Sequence, residues 1–398
     1  MRKKDVLLNI LTYVYSCIGI VILLSITIYI FSNGLKSLSW DLLTNDYYDK
    51  VFSTKSSQEL VSDVAFTDPK IEGSYFSKNF GVSLIDDVDT NNNEVVRIVY
   101  VDKNSPFNYM EQTNSSKKIK ITVNQVISKI ILTNENGDYI LAISSEKAEE
   151  MVNKLDNGTK ILDMTSSFTG GGIRGSLIAT FYLIILTLII AIPIGIIASI
   201  YLNEYEKKNK LNNILMSMID LTSGIPSIIF GLVGVVIFIP IVSKITNKNS
   251  GSILSGALTL SIMLLPIIIR NTIEALKNVP DSLRNASLAL GASKAQTIFK
   301  VVLPNAVNGI LTSIILSIGK IIGESAALIY AIGTTIKDEI ILTDKATSLA
   351  VHIWVLMSGD KPNFEVACSV SIIILVMVFL LSFSVKIVSL KFNRVNVK

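Results

Sequence analysis

The chain has 398 residues, half of them hydrophobic, a mean hydropathy of +0.53 and a formal net charge of +4. That balance belongs to membrane proteins, and the charge is too small and too dispersed to suggest nucleic acid. His352 is the only histidine, which excludes a histidine-based metal or catalytic cluster, and Cys17 and Cys368 both lie in apolar runs, so no disulfide framework is implied.

A bilayer core is crossed by about 20 apolar residues in a helix. Six segments meet that length, at 6–31, 175–202, 214–242, 253–269, 306–332 and 366–390. The first follows Arg2-Lys3-Lys4, as a signal peptide would, but its apolar run is too long and no small-x-small cleavage site follows. It is expected to be an uncleaved first helix. Pro193, Gly195, Pro226 and Pro266 fall inside spans, where neighbouring helices satisfy the freed backbone.

Lys and Arg in short flanks set orientation. With the N-terminus in the cytoplasm, the inner flanks carry fourteen of them: Arg2, Lys3, Lys4, Lys207, Lys208, Lys210, Lys277, Arg284, Lys294, Lys300, Lys386, Lys391, Arg394 and Lys398. The short outer loops carry five: Lys244, Lys248, Lys337, Lys345 and Lys361. Both ends are therefore expected inside.

Residues 32–173 are then expected outside, as an inserted α+β domain. Alternating stretches at 95–101, 119–123 and 127–133 read as strands, and Asn136-Gly137 signals a hairpin before a strand at 139–143. Residues 145–156 read as a helix capped by Ser145 and ended at Gly158. The insertion is either a structural element or a docking surface for an extracytoplasmic partner. It shows no catalytic constellation.

Residues 274–303 are too polar to cross a membrane. Pro280 suits a first helical position, Leu283, Ala286 and Leu290 share a face, and Gly291 offers a left-handed stop. Ser293 and Gln296 have the spacing of a capping box opening a second short helix, and Pro304 can open the fifth span. The expectation is two short helices bent at Gly291, with Arg284, Asn285, Lys294 and Gln296 facing outward. By its residues alone, this segment is either a rigid elbow that transmits a push or an interfacial helix resting on lipid.

Lys320 and Glu324 stand four residues apart in the fifth span, about 24 Å along a helix from Pro304. Ionisable residues inside a membrane are costly and are functional candidates. The two either neutralise each other or line an anion's route, with Glu324 limiting the grip of Lys320. Gly319 and Gly323 form a small-xxx-small pair that permits close helix approach. Arg270 either adds positive potential to the route or snorkels at the interface, and Asp220 reads as interfacial.

The stretch Asn285-Ala286-Ser287, three residues, Gly291, nine residues, Val301, one residue, Leu303-Pro304 resembles the EAA loop of ABC importer permeases. Ser287 and Val301 replace Ala and Ile of that pattern, and Asn285 replaces its Glu. Ile192-Pro193-Ile194-Gly195, Tyr201-Leu202-Asn203-Glu204-Tyr205, the run from Gly224 to Leu232 and Gly323-Glu324-Ser325-Ala326 resemble the PstA family of phosphate-importer permease subunits. The resemblance covers Val6–Trp40 weakly and Gly170–Lys398 strongly, and leaves out about 44–165.

That resemblance implies an all-α polytopic membrane protein of the type I ABC importer permease fold, divided as 1–31, 32–173 and 174–398. It implies a coupling role for Arg284, Asn285, Ala286, Ser287, Gly291, Leu303 and Pro304, and a pathway role for Arg270, Lys320 and Glu324. In the phosphate permeases an Arg usually stands where this chain has Lys320. The implied partners are a homologous PstC-like permease, two PstB-like ATPase subunits and an extracytoplasmic PstS-like phosphate-binding protein, all working in a lipid bilayer. The chain has no Gly-x4-Gly-Lys-Ser/Thr phosphate loop, so ATP and magnesium are expected on the ATPase subunits and the chain itself is not expected to be an enzyme. The other readings are a permease for a different oxyanion or small solute, and a membrane-anchored receptor with 44–165 as sensor.

Overall fold

The computed structural model describes residues 3–56, 66–88, 93–113, 118–168, 170–206, 209–359 and 362–396, with the backbone alone at 3–10 and 390–396. Arg2, Lys207, Lys208, Lys361 and Lys398, which carry part of the charge asymmetry, lie outside the described residues. The chain divides into two compact units, Met1–Leu43 with Ile173–Lys398, and Thr44–Gly172.

The first unit begins with α1 (Lys3–Ser37) and the short α2 (Trp40–Thr44). The second unit then holds β1 (Lys50–Ser56), β2 (Tyr75–Ser77), β3 (Val82–Val88), β4 (Glu94–Val101), β5 (Met110–Gln112), β6 (Lys118–Ile119), β7 (Gln125–Thr133), β8 (Tyr139–Ile143), α3 (Lys147–Asp156) and β9 (Lys160–Phe168). The strands form one antiparallel sheet in the order β2-β3-β4-β7-β9-β1-β5-β6, with β8 also pairing β7. β1, the first strand, pairs with β9, the last, from Lys50↔Phe168 to Thr54↔Met164, so the insertion closes on itself at its neck. Ala148, Met151, Val152 and Leu155 bury the apolar face of α3 in a core with Val82, Leu84, Ile98 and Ile130.

The hairpin at Asn136-Gly137 is formed, with Thr133 opposite Tyr139 and Gly137 at φ +85°. Two local expectations are corrected. Residues 119–123 do not form a strand; β6 ends at Ile119, and the Ile121 N–H donates to the Phe107 carbonyl off the ladder. Ser145 does not cap α3 but sits in a 3-10 turn, Ser144–Glu146, and the Ala148 N–H donates instead to Asp86 Oδ1 at 2.7 Å. A carboxylate brought from β3 replaces the local cap.

The first unit resumes with α4 (Arg174–Ile200), α5 (Lys210–Ser223), α6 (Ser227–Val233), α7 (Ile239–Thr246), α8 (Ile253–Lys277), α9 (Asp281–Ala289), α10 (Lys294–Thr297), α11 (Leu303–Gly323), α12 (Ala326–Ala331), α13 (Leu349–Ser358) and α14 (Phe364–Asn396). π-helical turns extend α4 through Tyr201–Tyr205, join α6 to α7 through Gly234–Phe238, and join α10 to α11 through Ile298–Val302. Among the described residues, six helical stretches are long and apolar enough to cross a membrane: Leu11–Ser37, Arg174–Tyr205, Ser227–Thr246, Ile253–Lys277, Lys294–Gly323 and Phe364–Ser389.

α8 is the most buried of these spans and packs on both α4 and α11, while α1 packs on α14. Buried hydroxyls return to their own helices: Thr180 donates to the Ser176 carbonyl, Ser199 to Gly195 and Ser261 to Ala257. A hydroxyl in apolar surroundings is costly unless bonded, and the carbonyl one turn back is always within reach. Ser199 also donates to the Ile269 carbonyl at 3.1 Å, tying α4 to α8. At Gly309 a Cβ would overlap the Ala275 side chain, so this glycine sets the approach of α11 to α8.

Two spans are broken where continuous helices were expected. The stretch 214–242 divides at Gly224-Ile225-Pro226, because a residue before proline is driven out of the helical region and Pro226 itself is extended at ψ 137°. The crossing helix is therefore 227–246, and α5 is a separate amphipathic segment. The stretch 306–332 stops at Gly323, and Glu324 turns extended at ψ 121°. Its carboxylate then accepts from the Ala327 N–H at 3.1 Å and opens α12. The helix α13 was not anticipated; at ten residues it is too short to cross.

Candidate functional site

The segment after α8 forms the elbow its residues call for. Pro280 stands just before α9 rather than in its first turn, and α9 ends at Gly291, whose φ of +85° only glycine adopts without strain. Ser293 Oγ accepts from the Gln296 N–H at 3.3 Å while Gln296 Oε1 accepts from the Ser293 N–H at 2.9 Å, completing the capping box. The second arm is not a separate short helix. It runs through the π turn into α11, with Pro304 in the first turn of α11, so the elbow and the fifth span are one continuous rod from Lys294 to Gly323.

Two contacts brace the bend. Ser287 Oγ and Thr297 Oγ1 lie 2.9 Å apart across the two arms. Ile298 and Val302 are buried with Ile200 of α4, Leu276 of α8, and Ala306 and Ile310 of α11, with Leu303 packed against that cluster. The apolar residues of the first arm stay outside: Leu283, Ala286, Leu288 and Leu290 are exposed, Leu290 to 89%. Asn285 is exposed beside them. The face formed by Leu283, Ala286 and Leu290 thus does not fold back onto the bundle. Lys294 lies over the Tyr205 ring at 5.0 Å from its centroid.

Arg284 does not face outward as its place in the pattern suggested. Its side chain is 16% exposed and points into the bundle. The guanidinium donates to the Val279 carbonyl at 2.6 Å, the Leu276 carbonyl at 2.8 Å, Asp281 Oδ1 at 3.1 Å and Glu204 Oε1 at 3.1 Å. Glu204, 10% exposed, is carried by the π turn that extends α4, and Asn203 Nδ2 also donates to it at 2.9 Å. The carbonyls belong to the last turn of α8 and the residues after it, where helix geometry leaves acceptors without partners. A five-donor cation is the side chain suited to that place.

The membrane charges separate into two groups. Lys320 Nζ lies 3.5 Å from Glu324 Oε2; Lys320 is half exposed and Glu324 is 4% exposed. They meet across the end of α11 rather than along one helical face, since Glu324 has already left the helix. Among the described residues, a Cβ at Gly319 or Gly323 meets nothing within 4 Å, so the close helix approach expected of that pair is not made within this chain. Arg270 is elsewhere. It bonds Asp220 of α5 and, at 3.4 Å, Glu274 one turn along α8. It lies seven residues from the elbow end of α8, about 10 Å, whereas Lys320 is about 26 Å along α11 from the same end. Asp220 is its ion-pair partner, a contact the reading as merely interfacial did not include.

Two features were not singled out from the sequence. Glu204 had no marker beyond its place in a family-like run, because its partner is 80 residues away. His352 of α13 is buried, with Nδ1 2.7 Å from Ser176 Oγ of α4, and burial pushes its pKa down to about 4.

The family model described as "Binding-protein-dependent transport system inner membrane component" matches residues 191–394, which contain the elbow, Arg270, Lys320 and Glu324 and leave out the Thr44–Gly172 unit. A probable ABC transporter permease protein, YqgI of Bacillus subtilis, is 34% identical over 227 residues, 53% of this chain and 76% of that protein. The phosphate transport system permease protein PstA of Yersinia pestis is 35% identical over 181 residues, 46% of this chain and 58% of that protein. The PstA homolog of Mycoplasma pneumoniae is 33% identical over 210 residues, 52% of this chain and 32% of that protein. A solved structure of the MetNI methionine ABC transporter in inward facing conformations aligns with a TM-score of 0.43 at 23% identity, covering 56% of this chain and 94% of that one.

Proposed function

The chain belongs to the family of binding-protein-dependent transport system inner membrane components, and we propose on that basis that it is the phosphate-translocating permease subunit of an ATP-driven importer. Members of this family are transport permeases rather than enzymes, and they work with ATPase and binding-protein partners. Phosphate as the cargo rests on the relatives named as phosphate transport permeases. The partners of this reading are a PstC-like second permease, two PstB-like ATPase subunits that hold ATP and magnesium, and a PstS-like phosphate-binding protein.

The observation that carries the reading is the elbow: a bend braced from inside, with Leu283, Leu288 and Leu290 exposed on its first arm. A loop that only rested on lipid would need no such bracing. A groove on an ATPase subunit would cover those leucines, and closure of the ATPase pair would displace the elbow and, through its second arm, α11. The site is thereby exposed first to the outside, where phosphate enters, and then to the cytoplasm. In this reading the elbow, both chain ends and α5 are cytoplasmic, and the Thr44–Gly172 unit is extracytoplasmic. Lys320 would attract the anion while Glu324 weakens its hold enough for release. Arg270, already bonded to two carboxylates near the elbow end, contributes less.

Phosphate uptake by cells with and without this chain tests the cargo. ATPase activity of the purified complex, with and without phosphate-loaded binding protein, tests the coupling. Unchanged uptake and unresponsive ATPase would overturn the reading.

A further inference from the structure

We propose that Arg284 is a positioning residue that latches the first arm of the elbow to the membrane helices, and not a contact to the ATPase subunit. The proposal rests on the reading of the elbow as the ATPase dock. α9 carries the exposed leucines, yet along the chain it is joined to α8 only through Asn278-Val279-Pro280. The Ser287–Thr297 hydrogen bond ties α9 to the second arm, and the Arg284 guanidinium ties it to the membrane helices. Through Leu276 it grips the end of α8, through Val279 the linker that follows, and through Glu204 the π turn that extends α4. α4 and α8 also pack against each other along their length, so a displacement of α9 moves them together.

The chemistry of the latch is specific. Its acceptors lie in different directions around one planar head, a fork that arginine supplies and lysine does not. Glu204 is oriented in turn by Asn203. Both charged side chains are largely withdrawn from the surface, so neither is presented to a docked partner. The second arm needs no equivalent latch, because Ile298 and Val302 anchor it in an apolar cluster with Ile200 and Leu276.

The test uses the whole transporter, reconstituted in vesicles with its ATPase subunits and binding protein, carrying Arg284→Lys, Glu204→Gln or both. Phosphate imported per ATP hydrolysed is measured, together with the ATPase subunits retained on purification. The expected result is retention of the ATPase subunits and of basal hydrolysis, with import per ATP reduced by about fivefold or more. The double variant is expected to lose no more than the worse single variant, since both changes open one latch. Unchanged import per ATP in both single variants, loss of ATPase subunits in either, or additive losses in the double variant would each overturn the latch. If the unmodified transporter neither imports phosphate nor hydrolyses ATP in response to loaded binding protein, the underlying reading fails instead.

Discussion

Arg284 and Lys320 are both basic side chains set against a buried carboxylate, and they are held in opposite ways. Arg284 spreads its donors over two carboxylates and two main-chain carbonyls and is largely withdrawn from the surface. Lys320 is half exposed and lies 3.5 Å from one carboxylate, whose other oxygen is engaged by the Ala327 N–H. A cation held by several acceptors, two of them main-chain carbonyls, is a structural joint. A cation with one loose partner and an open side can exchange ligands, as a transported anion requires. Burial and the number of fixed acceptors distinguish the two, not the presence of charge.

The largest expected effect lies at the bend itself. Gly291→Pro or Gly291→Leu abolishes uptake while the protein still inserts, because φ of +85° is closed to proline and strained for leucine. Uptake at the native rate in either variant would remove the rigid elbow. Next, Arg284→Ala leaves Glu204 buried without its partner and lowers stability by about 3–5 kcal/mol, read as thermal unfolding of the purified complex. An unchanged unfolding temperature would show that Arg284 is not a structural joint.

His352 is a third buried polar group, held neutral. Its pKa is about 4 in the folded chain against an ordinary 6.5, so it is uncharged in both states well above pH 6.5. Between those values the unfolded chain binds a proton that the folded chain refuses, and stability falls as pH falls, by on the order of 3 kcal/mol across the window. Unfolding temperatures at pH 7 and pH 4.5 are expected to differ less in His352→Gln than in the natural chain. An equal drop in both would show that this histidine does not set the dependence.

Lys320→Gln is expected to lower uptake roughly tenfold, about the worth of one charge-assisted hydrogen bond. Arg270→Gln is smallest. Arg270 is half exposed and its ion pairs are of the surface kind, so stability changes by less than about 1 kcal/mol and uptake stays near native. Near-native uptake in both variants would make the Lys320–Glu324 pair a neutralising contact only.

The parts of this molecule that were legible in the sequence are those set by short-range rules. Six apolar lengths, the Gly291 bend, the Ser293–Gln296 capping box and the Asn136-Gly137 hairpin each depend on residues within a few positions of one another. Even the break before Pro226 obeys a local rule, although the apolar run across it reads as one span. What was not legible is whatever a distant residue completes. Ser145 looks like the cap of α3 until Asp86 arrives from β3. Arg284 looks like part of an outward polar face until Glu204 arrives from the end of α4.

Hydropathy and local backbone preference, acting over one or two helical turns, therefore determine that this chain spans a membrane and carries a bent segment with the EAA spacing. Which charges are fixed and which are available is a tertiary outcome. The field around a side chain depends on what lies within a few ångströms in space, and the Arg284 guanidinium draws its partners from residues 204, 276, 279 and 281.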